Sequence, residues 1–204
     1  MDDSELKAFA LVCTLTPSPE ASSSELLARQ VLTQLEGHGV STSLMRVVDH
    51  NVRPGVQIDM GAGDGWPGIR EQILAADIFV LATPIWMGHP ASLAQQVLER
   101  LDADLASTDD AGRPIMFDKV AVVAVVGNED GAHKVTADLF QGLNDVGFTI
   151  PAQGVTYWVG EAMQSKDFKD LEQVPDAIAS ATATAARNAV HAAANLRKNP
   201  YPAG

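Results

Sequence analysis

One cysteine, Cys13, is all the thiol chemistry that this 204-residue chain offers. A single thiol excludes an internal disulfide framework and any metal site built from a cysteine cluster. Its place at the end of a short apolar run suits a small buried side chain. A nucleophilic thiolate of the low-molecular-weight tyrosine phosphatase kind needs an arginine six positions later, and that position is Pro19. Positive charge is scarce too: Lys and Arg number 14 against 26 Asp and Glu, a net charge of −12. A nucleic-acid binder needs a basic face to displace counterions, so that class is excluded, and an anionic membrane surface would repel the chain. No apolar run approaches the length of a membrane span. The acidic start, Met1-Asp2-Asp3-Ser4-Glu5, has neither the basic nor the apolar region of a signal peptide, and the expected location is the cytoplasm. Also missing are the glycines of the Walker loop and of the Gly-x-Gly-x-x-Gly dinucleotide fingerprint.

What is present reads as one globular domain. Hydrophobic residues make up 46% and charged residues 20%, so a packed core is affordable and disorder is not the default. Apolar strand runs fall at 7–13, 44–48, 78–82 and 119–126, with a fifth within 150–158. Between them the apolar spacing turns helical. Leu26, Leu27, Val31 and Leu35 share one face, and Ile69, Ile73 and Leu74 another, after Trp66-Pro67 opens a helix. Leu93, Val97, Leu98 and Leu101 form a third face, with Glu99 and Arg100 off it. Val135, Leu139, Phe140 and Leu143 form a fourth, which runs to Gly147. An Ala-rich helix spans about 175–198, and 50–65 reads as a surface excursion. The expectation is a single domain over 1–204, with its core at about 7–160. Strands alternating with helices predict a doubly wound α/β sandwich.

Such a sheet places every strand-to-helix loop at one edge, where ligands bind. Three of these loops carry unusual chemistry. The first, from Thr14 to Ser24, offers the hydroxyls of Thr16, Ser22, Ser23 and Ser24 before a helix start, a setting that suits phosphate. It contains no Lys or Arg, so a phosphate there would rest on hydrogen bonds alone. A plain Ser-rich helix cap explains it as well. The second, Thr83-Pro84-Ile85-Trp86-Met87-Gly88, is apolar where a loop is normally polar and suits a flat aromatic ligand; the alternative is a plug for the end of the core. The third, Gly127-Asn128-Glu129-Asp130-Gly131, has glycines that let backbone approach a ligand. A phosphate cradle, an apolar wall and backbone amides together match FMN better than other common ligands. His89 and His133 flank the second and third loops as possible proton donors, and Asp49-His50-Asn51 follows the second strand. His38, His50 and His191 lack convergent acidic or Cys partners, so no metal site is expected.

These residues resemble the NADPH-dependent FMN reductase and flavodoxin-like quinone reductase family. Ser22-Ser23-Ser24 followed by Leu27 is similar to its phosphate loop. Ala76-Asp77 through Thr83-Pro84-Ile85-Trp86 to Leu101-Asp102 resembles its strand, threonine-proline and aromatic block. Asp118-Lys119-Val120-Ala121, the 127–131 loop, Gly147-Phe148 and Tyr157-Trp158 resemble its C-terminal half. The chain departs from the family at Leu15-Thr16-Pro17-Ser18, where Gly-Ser-x-Arg is common. The resemblance implies a three-layer flavodoxin-like sandwich around a five-stranded parallel sheet of order 2-1-3-4-5. It implies FMN as cofactor and NAD(P)H as donor, with a quinone, flavin or similar acceptor. The flavin phosphate is expected at Thr16, Ser22, Ser23 and Ser24. The ring is expected against Thr83, Pro84, Ile85, Trp86, Met87 and Gly88 and against Gly127, Asn128, Glu129, Asp130 and Gly131. No residue is assigned an acid–base role, since the flavin carries the chemistry. A flavodoxin-like electron carrier without NAD(P)H turnover is the alternative. A homodimer or higher homo-oligomer is expected, with Trp66, Trp86 and Met87 near its interface.

Overall fold

The computed structural model describes residues 5–162 and 164–203. The first four residues of the acidic start lie outside that range. β1 (Lys7–Val12), β2 (Ser41–Arg46), β3 (Ile78–Trp86), β5 (Val120–Gly127) and β6 (Val155–Val159) form one parallel sheet in the order β2-β1-β3-β5-β6. The two-residue β4 (His89–Pro90) lies off this path and pairs antiparallel with β3. With β4 set aside, the order is the expected 2-1-3-4-5 of a flavodoxin-like sandwich.

Alternation along the strands splits the interior into two layers. Ala8, Ala10 and Val12, Ile78 and Val80, and Val120 and Val122 face α1 (Ser23–Glu36) and α5 (Asp176–Lys198). Phe9 and Leu11, Phe79 and Leu81, and Ala121 and Val123 face α2 (Trp66–Ala75), α3 (Ser92–Leu101) and α4 (Ala132–Val146). The period of two in a doubly covered sheet produces this division. Small residues dominate the first layer, where Ala185, Ala186, Ala189 and Ala193 bring α5 close to the sheet. Aromatic stacking fills the second, with Phe79 centred 6.3 Å from Phe9 and 5.5 Å from Phe148.

Several elements differ from the sequence expectation. β3 does not stop at Ala82 but continues through Trp86, turns at Met87-Gly88 and returns as β4. Pro84 is tolerated because β1 pairs with β3 only as far as Ala82 and β4 pairs only from Ile85, which leaves Pro84 itself without a ladder partner on one flank. β2 starts three residues earlier than its apolar run, at Ser41, because an edge strand can be polar. Arg100, placed off the apolar face by its charge, is fully buried. It donates to the carbonyls of Arg53 and Ile58, pairs with Asp64 at 2.7 Å, and lies 5.6 Å from the Trp66 ring centre. The 50–65 segment is therefore pinned to α3. Trp66 is itself fully buried and contributes nothing to an outer surface.

Candidate functional site

The loop from Thr14 to Ser22 leads from β1 into α1 and is shaped by the end of β2. Arg46 donates to the carbonyls of Thr16 at 3.0 Å and Glu20 at 2.7 Å, and its Nε pairs with Glu25. Asp49 accepts from the amide and hydroxyl of Ser18. Those hydrogen bonds hold its carboxyl below the usual carboxylate range. Burial pushes the Glu25 carboxyl up, but Arg46 and Arg29 outweigh it and lower it overall. Asp49 and Arg46 thus fix a loop that has no cation of its own. Ser22 caps α1 by accepting from the Glu25 amide. The amides of Ser23 and Ser24 lie in the first turn, where helix geometry supplies no carbonyl partner.

A cleft of about 240 Å³ opens beside this helix start, at the carboxyl edge of the sheet. Thr16, Ser22, Ser23 and Ser24 line one end; Pro84, Ile85 and Trp86 form a wall; Gly127, Asn128 and Glu129 supply the third side. The three loops singled out in the sequence therefore meet at one cavity. Trp86 is 55% exposed and Met87 89% exposed, so neither plugs the core.

Other expected residues support the cavity from behind or stand apart from it. Thr83 is fully buried, and its hydroxyl accepts from the Ala91 amide at the start of α3. Met87 and Gly88 form the hairpin turn with φ of 53° and 72°, and their amides donate to the Glu129 carboxylate at 2.8 and 3.2 Å. Glu129 thereby ties the third loop to the second. A Cβ at Gly131 would lie 3.0 Å from the Gly88 Cα, so this glycine permits that close approach. Gly127 plays the same part against Ile85, whose side-chain atoms would lie 2.9 Å from a Cβ there. Asp130 is exposed and off the cavity lining. His89 and His133 also lie off the lining; they contact Lys134 at 3.1 Å and the Tyr157 hydroxyl at 3.0 Å. Asn51 donates to the Gly63 carbonyl and braces the excursion. Burial pushes the Cys13 thiol up, which leaves it inert.

Part of the lining comes from a segment that the sequence did not single out. Asp167 and Lys169 reach the cavity from the irregular segment after β6. Lys169 Nζ lies 2.7 Å from Asp167, and this hydrogen-bonded pairing raises the lysine and lowers the carboxyl. Asn128 Nδ2 donates to the other oxygen of Asp167. The Lys169 amide donates to Ser23 Oγ at 3.1 Å. No periodicity or motif marks 160–175 in the sequence, and only folding brings it over the first loop.

Hydroxyls and free amides at one end, with an indole and a proline at the other, fit a phosphate joined to a flat ring system. Among the described residues no group of three or more His, Cys, Asp or Glu is placed to hold a metal ion, and no helix is long and apolar enough to cross a membrane.

The chain is similar to known proteins in sequence and in fold. Residues 7–164 match the family described as NADPH-dependent FMN reductase. The 8-demethyl-8-aminoriboflavin-5'-phosphate synthase of Streptomyces davaonensis is 34% identical over 166 residues, covering 77% of this chain and 65% of that one. A divalent metal cation transporter, MntH of Mycobacterium bovis, is 33% identical over 169 residues, covering 81% of this chain but 25% of the transporter. The chain thus spans less than two thirds of either relative. The crystal structure of RosB with its bound intermediate, 8-demethyl-8-formylriboflavin-5'-phosphate, superposes with a TM-score of 0.87 at 30% identity, covering 96% of this chain and 82% of RosB.

Proposed function

This chain belongs to the NADPH-dependent FMN reductase family, and from that premise we propose that it is an FMN-dependent oxidoreductase passing electrons from NAD(P)H to a quinone, a free flavin or a similar small acceptor. The observation that carries this reading is the meeting of a hydroxyl-lined helix start and an exposed indole wall in one cleft. FMN, when bound, supplies the chemistry of accepting a hydride and passing its electrons on. The protein's own work is to bind and orient. Thr16, Ser22, Ser23 and Ser24 hold the phosphate by hydroxyls and first-turn amides. Pro84, Ile85 and Trp86 form a wall that shields one side of the ring from water. Glu129 keeps the 87–88 turn and the 127–131 loop in fixed register, and Gly127 lets the wall come close. No side chain here is needed as an acid or base. A neighbouring subunit covering Trp86 and Met87 would complete the enclosure, and a cytoplasmic location suits a chain that draws on NAD(P)H.

The likeness to RosB with its bound flavin phosphate favours a second reading, in which a flavin phosphate is turned over as substrate. Anaerobic addition of NADPH to the FMN-loaded protein separates the possibilities. Bleaching of the flavin absorbance without a partner reductase, followed by recovery of unchanged FMN by chromatography, is the expected result. Flavin that stays oxidised with both NADPH and NADH points to an electron carrier. A flavin recovered with altered mass after a parallel aerobic incubation with an amine donor, which supplies the oxidant and the nitrogen that replacing a ring methyl requires, points to the synthase-like reading.

A further inference from the structure

The first loop has no cation, yet the cavity it lines does contain one. Lys169 arrives from the far side of β6, and two contacts fix it there. Its amide donates to Ser23 Oγ, which occupies one acceptor lone pair of that hydroxyl and leaves its hydrogen available to a ligand. Its ammonium rests on Asp167 at 2.7 Å and lies 3.7 Å from Asp170. Asp167, in turn, keeps a second donor in Asn128 on the third loop. Releasing the lysine would therefore leave that carboxylate still hydrogen-bonded. Lys169 is exposed and its stem is long and flexible, so its head can move without backbone change.

Resting on the flavin-phosphate reading above, we propose that Lys169 is the phosphate-pairing cation of this site, exchanging Asp167 for the ligand phosphate when FMN binds. A phosphate dianion carries more charge than one carboxylate and offers three acceptor oxygens, and Ser23, in contact with the Lys169 amide, lines the same cleft. Asp167 holds the ammonium in place while the site waits. Through Asn128 the exchange also links the phosphate end to the loop that lines the ring end.

The test titrates flavin-free protein with FMN and with riboflavin, which differ only in the phosphate, and reads quenching of flavin fluorescence. Lys169→Met is expected to weaken FMN binding about tenfold or more while riboflavin binding stays within about twofold, in line with the greater strength of charge-assisted hydrogen bonds. Lys169→Arg restores much of the FMN preference. Asp167→Asn, which removes the nearer of the two competing carboxylates, tightens FMN and not riboflavin. Circular dichroism of each variant checks that the fold is kept. Equal losses for both flavins in Lys169→Met, or no loss for either while the wild-type protein prefers FMN, overturns the role of Lys169 and leaves the phosphate site standing. A wild-type protein that binds FMN no better than riboflavin overturns the phosphate site itself and this inference with it.

Discussion

Trp86 shows how one residue is assigned by exposure more than by type. An indole at the end of a buried strand suggests core filling, but more than half of this one is open to solvent and it lines the cleft. It offers ring area and one N–H donor, with no usable acid or base. Trp86→Ala is therefore expected to leave stability within about 0.5 kcal/mol of wild type, as at other exposed positions. Flavin affinity should fall by the worth of an aromatic contact, about 0.5–1.5 kcal/mol. Thermal melts and flavin titration measure the two separately, and a large melting loss with unchanged affinity would return Trp86 to the core. Ser22 gives the opposite lesson. Its hydroxyl already caps α1, so truncating it costs about 1 kcal/mol of helix whether or not a phosphate binds. Met87, nearly fully exposed and at positive φ, satisfies neither packing nor turn preference, a pattern expected where function overrides local rules.

Among the elements, the 50–65 excursion is anchored to α3 by a buried charge pair, Arg100 with Asp64. Burial pushes the Asp64 carboxyl up, yet the amides of Met60, Arg53 and Trp66 and the Arg100 guanidinium outweigh it and bring it down to about 2. Because the folded value lies below the unfolded value of about 3.9, the stabilisation is complete above about pH 4. It is lost as pH falls toward 2. Urea midpoints measured between pH 6 and pH 2 should show this decline, and Asp64→Asn should flatten part of it. The same substitution leaves Arg100 buried without its partner, which costs about 3–5 kcal/mol. A neutral effect at pH 7 would mean that water reaches the pair. The excursion flanks the sheet away from the cleft lining, so flavin affinity per folded molecule should be kept.

At the scale of the whole molecule, the cleft carries exposed apolar side chains. Leu15 and Trp86 are exposed on the cleft lining and Met87 is exposed in the turn that follows Trp86, whereas Trp66 is interior and plays no part there. A second copy seated on this surface would bury the excess apolar area and close the cleft. Light scattering at micromolar concentration is expected to give a dimer or larger homo-oligomer, with Met87→Glu shifting it toward monomer. A monomer with full flavin occupancy would sink this expectation and leave the cleft complete in one chain.

The fold was largely legible in the chain because its cause is local. Five apolar runs separated by helical spacing, with no dinucleotide glycines, leave few arrangements, and period two in the strands assigns each side chain to a layer. The three loops were legible for the same reason, since parallel topology sends them all to one edge. Arg100 was not legible, because a charge on a helix reads as solvent-facing until a distant Asp64 is folded against it. Neither was the extension of β3 through Pro84, which depends on where β1 stops. Lys169 was the least legible of all. It stands 146 residues from Ser23, in a segment without pattern, and only chain closure brings its charge to a loop that has none. Periodicity and composition act between near neighbours and so are written in sequence, whereas charge pairing across the cleft is a property of distance in space.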